Sequence, residues 1–216
     1  MLFQELLDEA FPLEADANLI RGVSEGIMLA DSTMASASFL KSFVGQDIRG
    51  HIRRAGILYR LHSMTTAGDL PFASTMAKMP RGNWHWIELR SKSFNAHVCR
   101  TDAPDAFPTD TPTRQDDRLT NQPDLFRDRS TVVPIKGYSA WLTFGVGDSG
   151  ALGHLCWGMP NAEEDVWLAR TNVIRRARQS EVVVPLEAPK ATALRFREHI
   201  EETLKGKDEE RDEKPA

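Results

Sequence analysis

The stretch YSAWLTFGVGDSGALGHLCW, Tyr138 to Trp157, reads as two strands around a tight turn. Leu142, Phe144 and Val146 alternate with Trp141, Thr143 and Gly145, and Gly147 and Gly150 flank Asp148-Ser149. Alternate strand residues face opposite sides of a sheet, and a glycine-bounded pair suits a hairpin turn. WHWIELRSKSFNAHVCR, Trp84 to Arg100, has the same build around Ser91-Lys92-Ser93. Trp84, His97 and Cys99 recur as Trp141, His154 and Cys156, each 57 residues later. Two-residue turns at Ser91-Lys92 and Asp148-Ser149 would set Trp84 against Cys99 and Trp86 against His97. They would also set Trp141 against Cys156 and Thr143 against His154. Each hairpin then has an aliphatic face, expected to be buried, and a Trp/His/Cys face.

Outward from the hairpins the period changes. Residues 1–64 carry apolar residues at helical spacing: Leu2, Phe3, Leu6, Leu7 and Ala10 up to Pro12, then Leu19, Ile20, Val23, Ile27 and Ala30. Asp31-Ser32-Thr33 is expected to cap a third helix carrying Phe39, Leu40, Phe43 and Val44, with Gly45 closing it. A fourth, Gln46 to His62, has a stripe of Ile48, Ile52, Ala55 and Tyr59. Residues 164–179 read as a helix, Glu181 to Val184 as a short strand, and Thr192 to Leu204 as a C-terminal helix. The expected fold is α+β: a helical N-terminal third packed on a mainly antiparallel sheet of two β-hairpins, plus a C-terminal helix. A single domain spans 1–206, with the sheet part at 84–184 and a charged tail at 207–216. Residues 102–130, with four prolines and seven aspartates, form a long connection of the kind used for contacts.

A net charge of -4 over 216 residues exerts no general pull on nucleic acid or anionic membrane. The start lacks the basic and apolar regions of a signal peptide, no run reaches membrane-spanning length, and two cysteines make no disulfide framework. A cytoplasmic protein with reduced thiols is expected.

Several patterns could carry chemistry. His97, Cys99, His154 and Cys156 are imidazole and thiolate donors projecting from one sheet face, and zinc is the cofactor such a set would hold. The same spacing suits two packed thiols in a dry core. Arg49, Arg53 and Arg60 share a face of the fourth helix, and Arg175 and Arg176 sit in a second basic cluster; both are candidate phosphate contacts. Asp69 with Glu88-Leu89-Arg90 resembles the carboxylates of metal-dependent nuclease cores, with arginine where lysine is usual, so a metal-dependent hydrolase is the enzymatic alternative. Gly147-Asp148-Ser149-Gly150 resembles the nucleophile loop of chymotrypsin-like proteases for four residues, but the helical first third does not fit those β-barrels. Gln122-Pro123-Asp124-Leu125-Phe126 is similar to the pentapeptide by which bacterial proteins bind the DNA sliding clamp. In that resemblance Gln122, Asp124, Leu125 and Phe126 match, and Pro123 departs from the usual leucine. It implies an extended peptide docking on a protein partner. No nucleophile–base pair or phosphate-binding glycine loop is present. The expectation is a non-catalytic interaction protein, a regulatory, antitoxin-like or accessory subunit, with contacts through the Pro/Asp-rich loop and the tryptophan-lined face.

Overall fold

A computed structural model describes residues 3–78, 85–122 and 137–180. The chain separates into compact units Met1–Val184 and Pro185–Ala216, and every described residue belongs to the first. The expected strand at 181–184, the helix at 192–204 and the tail at 207–216 lie outside the described residues.

The fold is α+β. The expected hairpins form as β2 (His85–Ser91) with β3 (Phe94–Arg100), and β4 (Tyr138–Val146) with β5 (Leu152–Pro160). Two further strands complete the sheet, β1 (Ala73–Lys78) beside β2 and β6 (Trp167–Asn172) beside β5, in the order β1-β2-β3-β4-β5-β6. Every pairing is antiparallel except β3 with β4, which is parallel. Parallel neighbours need a crossover of a dozen or more residues, which accounts for the long connection after Arg100. It also means that the two hairpins run in opposite senses, so the 57-residue recurrence is not a structural repeat.

Both registers differ from expectation by two residues. Glu88 pairs with His97 and Ser91 with Phe94, so the first turn is Lys92-Ser93, with Lys92 at φ 49°. Trp141 pairs with Gly158, Thr143 with Cys156 and Gly145 with His154. The second turn is wider than two residues: Gly147 N–H donates to the Ala151 carbonyl, and Gly150 turns at φ 82°. A two-residue slip preserves the face of every side chain, so the expected division into two faces survives.

On the aliphatic face, Ile87, Leu89, Ala96, Leu142, Phe144, Leu155 and Trp157 pack against the helices. Phe11 stacks on Trp157 with centroids 3.8 Å apart and meets Phe72 and Phe94 edge-on. The helices are α1 (Phe3–Ala10), α2 (Asp16–Ser36), α3 (Phe43–Asp47) and α4 (Arg49–Ala67). Helices α2 and α4 touch backbone to backbone. A Cβ on Gly26 would sit 2.6 Å from the Ile57 Cα, and one on Gly56 would sit 2.4 Å from the Gly26 carbonyl oxygen. This approach turns Ile57, Leu58, Leu61 and Met64 of α4 inward and leaves the expected stripe residues Ile48 and Tyr59 exposed.

Two helical expectations fail for visible reasons. Asp31-Ser32-Thr33 does not start a third helix, because Asp31 is held by Arg53 and the Thr33 hydroxyl bonds back to the Leu29 carbonyl. Helix α2 therefore runs on to Ser36, followed by a 3-10 turn Ser38–Lys41 and the short α3. Residues 164–179 divide into β6 and α6 (Val173–Gln179), since Asn172 is the cap: its side chain accepts from Arg175 N–H at 2.8 Å. No helix among the described residues is long and apolar enough to cross a membrane.

Candidate functional site

The described part of the crossover, residues 101–122, packs on the Trp/His/Cys face, so part of each expected contact surface is occupied by the other. Phe107 meets Trp141 edge-on at 5.2 Å and packs on Trp167 at 4.5 Å. The Trp167 indole donates to the Asp105 carbonyl, Arg170 donates to the Pro104 carbonyl, and Arg118 pairs with Asp165. Asn121, at the end of the 3-10 turn after α5 (Pro112–Arg118), is buried; its amide donates to the Ser139 and Pro160 carbonyls and accepts from Ser139 N–H. Trp157 belongs to the other face, in the core with Phe11.

Cys99 and Cys156 lie on β3 and β5, each opposite Thr143 of the intervening β4, and both are free and buried. Their histidines take separate partners. His97 Nδ1 lies 2.7 Å from an Asp117 carboxylate oxygen and stacks under Trp86 at 4.2 Å. His154 Nε2 lies 2.8 Å from the Thr101 hydroxyl. The His154 ring sits where a side chain on Gly145 would be, and only a glycine leaves that space. Burial, with the Arg170 charge adding to it, pulls the His154 pKa down and keeps the ring neutral. Burial also pushes both thiols up, against the opposing pull of Arg114 on Cys99 and of Arg170 on Cys156. His97, Cys99, His154 and Cys156 thus make two separate pairs, and among the described residues no cluster of three such side chains could hold a metal. These are packed, hydrogen-bonded groups with suppressed thiolate character, unsuited to nucleophilic work.

The basic residues divide similarly. Arg53 grips Asp31 through two bonds of 2.9 Å, and Arg60 is paired with Glu25. Arg176 donates to both Asp16 carboxylate oxygens at 2.7 Å, to Asp8 at 2.8 Å and to the Phe11 carbonyl at 2.8 Å. Burial pushes the Asp16 carboxyl up while Arg176 pulls it down; burial opposes the Arg176 charge, but its hydrogen bond to Asp16 and the surrounding carboxylates outweigh that. Arg53, Arg60 and Arg176 therefore hold the fold together, whereas Arg49 and Arg175 make no ion pair among the described residues. Asp69 pairs with Arg21 and Glu88 with Arg90, in two separate ion pairs. Ser149 sits at an exposed hairpin tip, where its hydroxyl accepts from Ala151 N–H. Of the clamp-like pentapeptide, Gln122 reaches Glu163 at 3.4 Å, while Pro123, Asp124, Leu125 and Phe126 lie outside the described residues.

A surface that sequence periodicity assigned to the core stands in the open instead. Phe39 is 69 % exposed, Phe43 94 %, Val44 75 % and Ile48 41 %, in pairs four residues apart. The segment that presents them is tightly built. The Ser42 hydroxyl donates to the Phe39 carbonyl and accepts from Gly45 N–H, capping α3. Leu40 turns into the protein, and Gly45 lies so close to it that an added Cβ would stand 2.3 Å from the Leu40 carbonyl oxygen. Beside this projection a cleft of about 410 Å³ opens between Met34 and Ala35 of α2, Lys41, Arg49 and the hairpin tip Asp148–Gly150. The available signal was Asp31 failing as a cap, which only its arginine partner reveals. No protein-family model, curated protein or solved structure matches the chain.

Proposed function

We propose that this chain is a cytosolic interaction protein without catalytic activity, a regulatory or accessory subunit, whose contact surface is the projection at residues 39–48. One observation carries the reading: four large apolar side chains are held in water by an ordered, capped, glycine-tightened segment. Large apolar side chains exposed together along one short segment support an interaction site, because exposing them costs free energy that a partner recovers. Aromatic anchors beside a concave surface are the usual centre of a protein interface. The polar groups are in keeping with this reading: His154 is neutral and bonded to Thr101, both thiols are buried, and Asp69 and Glu88 sit in separate ion pairs.

The reading is tested by the native mass of the protein in extracts of its own cells. The wild-type chain is expected to elute in a discrete complex larger than the 24.2 kDa monomer. The doubly substituted Phe39→Ser/Phe43→Ser variant, with an unchanged melting temperature, is expected to elute as the monomer. Identical elution of the two proteins contradicts the reading.

A further inference from the structure

We propose that the cleft between α2, α4 and the β4–β5 tip binds a small phosphate monoester whose remainder carries hydroxyl groups, with the phosphate on Lys41, Arg49 and Arg53. The site goes beyond the contact surface at residues 39–48 and is independent of it. At about 410 Å³ the cleft is of the size that takes a small molecule. Its walls are polar: apart from Met34, Ala35 and Gly150, every lining residue carries a charge, an amide or a hydroxyl. An apolar occupant would strand those groups, so the ligand must supply charge and hydrogen bonds.

Three cations line the cleft, and only one has a counter-charge. Lys41 and Arg49 make no ion pair among the described residues. Arg53 is held rather than consumed. Asp31 accepts from its Nε and Nη2 at 2.9 Å, which fixes the guanidinium plane and leaves Nη1 unpaired among the described residues. A guanidinium oriented in this way presents a planar fork to phosphate oxygens. Gly150 lets the hairpin tip close on the pair: it turns at φ 82°, and a Cβ there would stand 3.4 Å from Arg53 Nη2. Arg49 also opens α4, a 19-residue helix whose N-terminal partial positive charge adds to that of the side chains. A phosphate monoester carries about -1.5 to -2 charges at pH 7, which two free cations and a fixed guanidinium match.

The other groups select a hydroxylated ester over a bare anion or a polyanion. The Asp148 carboxylate has no partner among the described residues, and an ionised carboxylate only accepts hydrogen bonds. It repels a second phosphate, which disfavours nucleic acid and polyphosphate, and it suits a ligand hydroxyl. The Ser149 oxygen accepts from Ala151 N–H, so its own O–H remains to donate. Gln46 turns its amide nitrogen to the Leu40 carbonyl and keeps its oxygen as an acceptor. These are the partners a sugar requires.

Isothermal titration calorimetry of the purified full-length chain, in phosphate-free low-salt buffer at pH 7.5, tests the site with ribose 5-phosphate and glucose 6-phosphate. Ribose, glucose and inorganic phosphate are titrated as the separate parts. At least one ester is expected to bind one per chain with a Kd below about 1 mM, and each part at least about tenfold more weakly. Arg49→Gln and Lys41→Gln remove exposed side chains, so the melting temperature should hold. Each is expected to weaken the ester by about tenfold or more, as the loss of a charge-assisted hydrogen bond does. Asp148→Asn is expected to weaken the ester but not inorganic phosphate. Arg175→Gln, which removes an exposed cation of α6, should bind as the wild type does. Failure of both esters to bind, or equal binding by the wild type and Arg49→Gln, overturns the proposal. Inorganic phosphate binding as tightly as the better ester overturns the assignment of a hydroxylated ligand. None of these outcomes alters the elution test of Phe39 and Phe43.

Discussion

Arg176 clasps Asp16 through two hydrogen bonds of 2.7 Å, and Asp16 is 1 % exposed. The pair ties α6 to the start of α2, and the same guanidinium reaches Asp8 and the Phe11 carbonyl at the end of α1. Removing one partner of such a pair strands a buried charge. Arg176→Met is therefore expected to lose about 3–5 kcal/mol of unfolding free energy at pH 7. Without its partner, Asp16 keeps the burial and the Asp8 and Glu14 charges that raise its pKa, so the folded state takes up a proton before the unfolded chain does. A carboxyl raised on folding gains stability as pH falls. The deficit measured by urea unfolding should accordingly shrink between pH 7 and pH 5; a constant deficit would show that Asp16 is not the stranded group.

The contact between Gly26 and Gly56 predicts an unusual response to alanine. In an exposed helix interior, Gly→Ala stabilises by about 1 kcal/mol. At Gly56 the new methyl would stand 2.4 Å from the Gly26 carbonyl oxygen, and backbone must move to admit it. Gly56→Ala should instead destabilise by about 1–3 kcal/mol, as overpacking does. A gain in urea midpoint would mean that α2 and α4 are further apart than described.

His154 gives the fold a pH dependence of opposite sign to that of Asp16. Its pKa is lowered by burial and by Arg170, whereas in the unfolded chain it titrates near the ordinary value of about 6.5. As pH falls below that value the unfolded chain binds a proton that the folded protein refuses, so stability falls until the lowered folded value is passed. Between pH 7.5 and 5 the wild-type urea midpoint should drop further than that of His154→Gln. Parallel midpoints in the two proteins would contradict the neutral, buried assignment.

The two cysteines should be silent in the native state. Each is buried with a raised pKa, and Thr143 stands between them in the sheet. A thiol reagent at pH 7.5 is expected to modify neither without denaturant, and a chelator is expected to leave the melting temperature unchanged. A chelator-dependent loss of stability would contradict the assignment of His97 and His154 to their separate partners, Asp117 and Thr101.

The hairpins were readable because alternation survives a change of register: a two-residue slip moved every cross-strand partner yet left Trp141, Cys99 and Cys156 on the expected face. The parallel pairing of β3 with β4 was not readable, since nothing local distinguishes the crossover at 101–137 from a contact loop. Strand β1, ASTMAK, lacks a clear alternation and emerges only beside β2. The helical stripe of Ile48 and Tyr59 pointed to the wrong face because the Gly26–Gly56 contact, a tertiary fact, decides which side of α4 is buried. The projection was hidden for a related reason. Phe39, Phe43 and Val44 have the spacing of a core helix, and only the Asp31–Arg53 pair shows that α2 continues past the expected cap and pushes them into solvent. Among the basic residues, formal charge could not separate Arg176, consumed inside the fold, from Arg49, left at the rim of the cleft.

The central claim, that residues 39–48 are a contact surface, is tested most directly by a photoactivatable phenylalanine analogue placed at position 43 in the living cell. The control position is Glu164, in the exposed β5–β6 turn at the end of the sheet away from the 147–150 hairpin. The account predicts a discrete cross-linked band from position 43, above the mass of the single chain, and none from position 164. An absence of any band from position 43, or equal bands from both positions, contradicts it.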